Sequence, residues 1–135
     1  MLKEKATSYY TPVYDYNCAE AMIHAANDMY KLNLPKEALK TMAGFGGGMV
    51  IESTCGALAG GVAVLGIMFV NQKAHESDKM KNLVTELMRR FEKRMGTIEC
   101  RELKDLYREE PPVKCRCIVA EAADILEQII EENRT

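Results

Sequence analysis

The chain has 135 residues, of which 47% are hydrophobic and 28% are charged, and its formal net charge is −2 at pH 7. This length and composition are typical of a globular domain with a buried core, so we expect residues 1–135 to form a single domain. The 18 basic and 20 acidic residues are mixed along the chain. This mixture argues against a nucleic-acid surface and against a polybasic membrane contact.

The hydropathy of two segments, the N-terminus and the longest apolar run, bears on the expected location of the protein. The N-terminal residues Met1 to Lys5 lack the apolar core of a signal peptide, so a cytoplasmic location is expected. The longest apolar run, from Cys55 to Val70, is shorter than the roughly 20 residues that a membrane-spanning helix needs. We therefore predict that this run forms a buried core helix and that the chain does not span a membrane.

The hydrophobic periodicity predicts an all-α fold, a compact bundle of five or six helices. Residues 1–14 are polar, with three tyrosines, and are predicted to form an irregular or partly helical lead-in. No later stretch alternates in the manner of a half-buried strand. The predicted helices cover approximately residues 17–32, 35–43, 54–71, 78–95, 97–107 and 113–132.

A glycine-rich loop, residues 44–48, is predicted to precede the central apolar helix. Without side chains, Gly46, Gly47 and Gly48, and Gly56 beyond them, allow another group or a cofactor to approach the backbone closely. Cys55 falls at the predicted helix start, where unpaired N–H groups and the helix dipole favour a thiolate. The sequence thus predicts a lowered pKa for Cys55. A nucleotide site has little support, because the loop follows a helix and lacks a Gly-Lys-Ser/Thr ending.

The five cysteines share their position in the predicted helices. Cys18, Cys55, Cys100 and Cys115 each lie within about one turn of a predicted helix start, although no C-x-x-C pair is present. Cys115 continues the apolar stripe of the last helix, whereas Cys117 lies on its polar face. A single buried cysteine often serves as a small hydrophobic residue. Four cysteines at four helix starts instead indicate a shared site that favours anionic sulfur.

The cysteine motifs resemble those of a known family. The matching elements are Asn17-Cys18-Ala19, the Gly44-Phe45-Gly46-Gly47-Gly48 loop, Cys55-Gly56-Ala57-Leu58-Ala59-Gly60, Cys100, and a late cysteine before an Ala-rich helix. Together they resemble the C_GCAxxG_C_C family of redox-active proteins, which is named for its cysteine pattern. The resemblance covers roughly residues 15–130. It implies redox chemistry at Cys18, Cys55, Cys100 and Cys115, without specifying a substrate.

Two functions remain open at this point. In the first, a thiol–disulfide oxidoreductase, Cys55 attacks a disulfide or an oxidant, and Cys18, Cys100 or Cys115 resolves the intermediate. Its partner would be a redox protein or a small thiol or disulfide.

In the second, the same four thiolates hold an iron–sulfur cluster or zinc, with Cys117 as a substitute for Cys115 and His24 as a further candidate ligand. The small-residue face of the central helix offers a homodimer contact as an alternative to packing within the chain.

Overall fold

The computed structural model describes residues 1–134 and confirms the all-α class. Within this range the chain forms seven α-helices, and its only strand-like pairing is one isolated antiparallel bridge. The prediction of five or six helices is therefore wrong by at least one. The helices are α1 (Leu2–Tyr9), α2 (Cys18–Tyr30), α3 (Lys36–Lys40), α4 (Gly56–Phe69), α5 (Asp78–Met95), α6 (Cys100–Tyr107) and α7 (Arg116–Asn133).

The additional helix is α1, in the segment predicted to be an irregular lead-in. Its side chains Leu2 and Ala6 are completely buried, and α1 packs against both α2 and α7. The backbone N–H of Leu2 also donates a hydrogen bond to the carboxylate of Glu127 on α7. Two buried positions are too few to produce a periodic signal, so the sequence pattern did not reveal this helix.

Helix α4 lies at the centre of the bundle, in contact with α2, α5 and α7. It is apolar around its whole circumference, and seven of its fourteen residues are buried, whereas Ile67 is exposed. Its glycines let neighbouring helices come close. Gly60 faces the backbone of Ala19 on α2, and Gly61 faces Leu87 and Leu126. The small-residue face is thus buried inside the chain.

The surrounding helices bury the apolar stripes that the sequence predicts. On α5, Leu83, Leu87 and Phe91 are buried, and its charged residues face outwards. The stripe of α7 is buried along its whole length, from Ile118 to Ile130. Burial of these stripes removes apolar surface from water and so stabilises the bundle around α4.

The glycine-rich segment consists of short helical turns. A 3₁₀ helix covers Thr41–Gly44, and a wide turn covers Gly48–Glu52. The backbone is left-handed at Gly47 and Gly48, with φ near +60°, and at Val50, with φ of +70°. A β-branched residue rarely adopts this conformation, and the Val50 side chain is also 78% exposed. The segment therefore holds an unfavourable local conformation at the edge of the bundle.

Among residues 1–134, no helix combines the length and the apolar character needed to cross a bilayer.

We predict that Gly60→Ala destabilises the protein by about 1–3 kcal/mol, as overpacked cores do. The added methyl would lie 2.8 Å from the Ala19 carbonyl oxygen and 2.9 Å from the Met22 Cβ, and neither atom can swing away. Gly66→Ala, in the same helix, is the matched control, since nothing lies within 4 Å of its added Cβ.

The control should gain about 0.5–1 kcal/mol from the better helix propensity of alanine. Urea unfolding of the two variants measures both effects. Equal stability of the two variants would contradict the close contact between α2 and α4.

Candidate active site at the converging helix starts

Four cysteines from four helix starts line one cavity of about 130 Å³. Cys18 is the first residue of α2 and Cys100 the first of α6, while Cys55 and Cys115 immediately precede α4 and α7. The chain thus brings together four of the predicted site residues. The remaining lining residues are Tyr10, Asn17, Gly47, Gly56, Leu103, Lys104, Arg108 and Ile118.

Asn17 fixes the position of Cys18. Its side chain accepts a hydrogen bond from the N–H of Glu20, and the Glu20 carboxylate accepts one from the Asn17 N–H, which completes a capping box. The side-chain amide of Asn17 also donates to the carbonyl of Ala43, at 3.0 Å. The hydrogen bond to Ala43 anchors the start of α2 to the glycine-rich segment.

A backbone bridge fixes Cys55 next to Cys100. Thr54 and Glu99 form the isolated antiparallel bridge. On either side of it, the N–H of Cys55 donates to the Ile98 carbonyl at 2.9 Å, and the N–H of Cys100 donates to the Ser53 carbonyl at 2.6 Å. The starts of α4 and α6 are therefore connected through the backbone. So short a pairing produces no hydrophobic pattern, and it was therefore not predicted from the sequence.

Three of the four glycines that were predicted to belong to the site allow the segments around the cysteines to pack closely. A Cβ at Gly46 would overlap the Asn17 side chain, and one at Gly48 would overlap the backbone of Ser53. At Gly56 a Cβ would overlap the sulfur of Cys18. Gly47 differs from these three, because its Cβ position is open.

The prediction of a lowered pKa for Cys55 is wrong. The Cys55 side chain is only 5% exposed, and burial raises its pKa to about 12. The nearby N–H groups of Leu58 and Ala57 favour the thiolate, as expected at a helix start, but desolvation outweighs them. At neutral pH this cysteine is therefore a thiol and a weak first nucleophile.

The other cysteines differ in exposure. Cys18 and Cys115 are partly exposed, whereas Cys100 is buried like Cys55. Burial raises the pKa of Cys18 and of Cys100 as well. Two influences oppose it: the backbone N–H of Gly47 favours the Cys18 thiolate, and the charge of Lys104 favours the Cys100 thiolate. Cys18 and Cys115 are thus the more exposed residues of the four, and Cys55 and Cys100 the more buried.

Cys117 lies outside the cavity. Its sulfur is 3.6 Å from the carbonyl oxygen of Tyr107, to which the thiol donates, and Cys117 does not contribute to the lining. Of the two late cysteines, Cys115 is the one that shares a surface with the other three.

The geometry gives no support to a metal centre. Within residues 1–134, no three or more His, Cys, Asp or Glu side chains are placed so that they could hold a metal ion. His24 does not line the cysteine cavity. Its ring stacks on that of Tyr16, with the ring centroids 4.2 Å apart. The iron–sulfur and zinc alternatives, including the substitution of Cys117, therefore gain no support from the geometry.

Three polar residues of the cavity were missed by the sequence analysis. Lys104 follows Cys100 by four residues, so helix periodicity alone places it on the same face of α6, and Arg108 directly follows the end of that helix. Tyr10 comes from the segment after α1, where no pattern indicated a role. Burial raises the pKa of Tyr10 to about 12, so its hydroxyl remains a hydrogen-bond donor at neutral pH.

A comparison with known families identifies the class of protein. The sequence pattern of the family described as "Putative redox-active protein (C_GCAxxG_C_C)" matches residues 16–129. The chain belongs to this family. No curated protein and no solved structure matches it.

We predict that the stability of the reduced protein falls at alkaline pH because of Cys55. Its pKa rises on folding from 9.0 to about 12, so the unfolded chain loses this proton first. The contribution of the neutral thiol to stability is complete below pH 9.0 and is lost as pH rises towards about 12.

Serine does not ionise in this interval, so Cys55→Ser is the comparison. The free energy of unfolding of the wild type should fall more steeply than that of the variant, by about 1 kcal/mol for each pH unit. Urea unfolding under reducing conditions measures both slopes. Parallel slopes would show that Cys55 does not titrate as a buried thiol.

Proposed function

We propose that the protein is a thiol–disulfide oxidoreductase whose site is the cysteine cavity. The observation that carries this proposal is the convergence of Cys18, Cys55, Cys100 and Cys115 on one cavity. Four thiols that share a surface with an opening to solvent can exchange disulfides with a molecule that enters it. Membership of a family described as redox-active supports the same chemistry.

Cys18 is the proposed attacking residue and Cys55 the resolving one. Residue Cys18 is more exposed than Cys55, and although burial raises the pKa of both thiols, the N–H of Gly47 opposes this rise at Cys18. Its sulfur packs against Gly56, the residue that follows Cys55. Cys55 is too deeply buried to meet a substrate first but is adjacent to the intermediate that forms on Cys18. This order reverses the roles expected from the sequence, because burial raises the pKa of Cys55.

The proposed reaction has two exchange steps. The Cys18 thiolate attacks one sulfur of a disulfide substrate, the substrate S–S bond breaks, and the leaving thiolate takes a proton from water. Cys55 then loses its proton and attacks the Cys18 sulfur of the mixed disulfide, which releases the second substrate thiol. Two protein thiols are oxidised to one disulfide, and the substrate disulfide is reduced to two thiols.

Trapping experiments test these roles. Reduced protein, kept under nitrogen, is mixed with bis(2-hydroxyethyl) disulfide and analysed by intact mass and peptide mapping. The wild type should lose two hydrogens, form a Cys18–Cys55 disulfide and release two thiols per molecule. Cys55→Ser should stop at a mixed disulfide on Cys18, with one thiol released. Cys18→Ser should form neither product.

Cys117→Ser is the control, because Cys117 lies outside the cavity, and it should behave as the wild type. The proposal fails if no internal disulfide forms in the wild type and none of its cysteines reacts faster than a model thiol. A disulfide between another pair of the four would retain the reaction class and overturn the assignment of Cys18 and Cys55.

A further inference from the structure

Basic residues on α6 and just after it give the cysteine cavity a positive lining. Arg101 and Lys104 lie on α6 after Cys100, and Arg108 directly follows the last residue of the helix. Lys104 and Arg108 line the cavity. None of the described residues that line it is acidic. The thiols therefore face two cations and no carboxylate.

Only part of this positive charge is neutralised nearby. Glu52 pairs with Lys104 at 2.9 Å and lies 3.7 Å from Arg101. Arg108 is exposed and forms no ion pair within residues 1–134. Arg101 does not line the cavity and Lys104 is paired with Glu52, so Arg108 is the lining cation without a described ion pair.

Two arginines of α5, Arg90 and Arg94, differ from Arg108 because each is paired with carboxylates. Arg90 pairs with Glu86 and Glu132, and Arg94 pairs with Glu121 and Asp124. Those charges are neutralised by acidic neighbours on the protein surface. Arg89 and Lys93 of α5 form none of the described ion pairs either, so Arg108 differs from them in its place in the lining of the cysteine cavity.

The size of the cavity further limits what reaches the thiols. A space of about 130 Å³ is small beside the roughly 300–1,000 Å³ of ordinary ligand pockets. It admits the sulfur end of a small molecule, and a folded protein would have to present its disulfide on an extended tip. Leu103 and Ile118 provide apolar walls, which suit the short carbon chain on either side of an S–S bond.

From these observations we infer that the substrate class is a small disulfide that carries carboxylates. This inference rests on the proposed thiol–disulfide exchange. A substrate carboxylate pairs with Arg108 and Lys104, while its S–S bond reaches Cys18. The electrons come from the two protein thiols, and the products are a protein disulfide and two small carboxylated thiols. The cations hold the substrate and also favour the thiolate that leaves.

Three symmetrical disulfides of similar size test the charge preference: 3,3′-dithiodipropionate, which is anionic, bis(2-hydroxyethyl) disulfide, which is neutral, and cystamine, which is cationic. Each second-order rate is divided by the rate with 2-mercaptoethanol at the same pH, which removes intrinsic leaving-group differences. The normalised rates should fall in the order anionic, neutral, cationic. At low salt we expect about a tenfold preference for the anion over the neutral probe, and high salt should reduce it.

Arg108→Gln is the first variant, because its side chain is exposed and forms none of the described ion pairs. It should lose most of the preference, and the double variant Lys104→Gln, Arg108→Gln should abolish it. The control is Arg89→Gln, Lys93→Gln, which removes two exposed charges from α5, a helix that does not line the cavity. This control should keep the order of the wild type.

The outcomes separate the two proposals. If the wild type reacts with all three probes at equal normalised rates, or if Arg108→Gln and the double variant keep its preference, the substrate class is wrong and the thiol exchange stands. If no probe reacts faster with the protein than with the model thiol, the exchange reaction itself fails. An anion preference that disappears only in the α6 variants supports the inference.

Discussion

The close contact between the starts of α2 and α4 is the constraint on which the cysteine cavity depends. The sulfur of Cys18 occupies the space that a side chain at Gly56 would fill, and one turn later Gly60 rests against the backbone of Ala19. Without these two glycines the helices would separate, and Cys18 would move away from Cys55. The same contact places α4 in the middle of the bundle, where α5 and α7 cover its remaining faces.

Two opposing physical effects act on the thiols at this contact. Helix starts offer unpaired N–H groups that favour a thiolate, whereas removal from water favours the neutral thiol. Desolvation wins at Cys55, which is 5% exposed. In the proposed exchange, the N–H groups would therefore act on short-lived anions, while Cys55 rests as a thiol. A protonated Cys55 is in turn slow to react with oxidants, because oxidants react with the thiolate.

Much of the fold was accessible from the sequence, because long amphipathic helices leave a strong periodic signal. Helix α5 covers Asp78–Met95, as its apolar stripe predicts. Helix α1 was predicted only as part of an irregular or partly helical lead-in, since only Leu2 and Ala6 are buried on it.

At the cavity, the placement of the cysteines at helix starts followed from the same periodicity, and spacing from Cys100 could also have revealed Lys104 and Arg108. The pKa of Cys55 was mispredicted, because it depends on burial that only the assembled helices define. The short pairing of Thr54 with Glu99 likewise depends on contacts between distant segments.

The wide separation of the four cysteines along the chain has a consequence for biosynthesis. In a C-x-x-C motif the two sulfurs are neighbours even in an unfolded chain. Here Cys18 and Cys55 meet only after a loop of more than thirty residues has closed and α4 has docked on α2. A nascent or denatured chain therefore has ordinary, independent thiols, and the dithiol arrangement exists only in the folded protein.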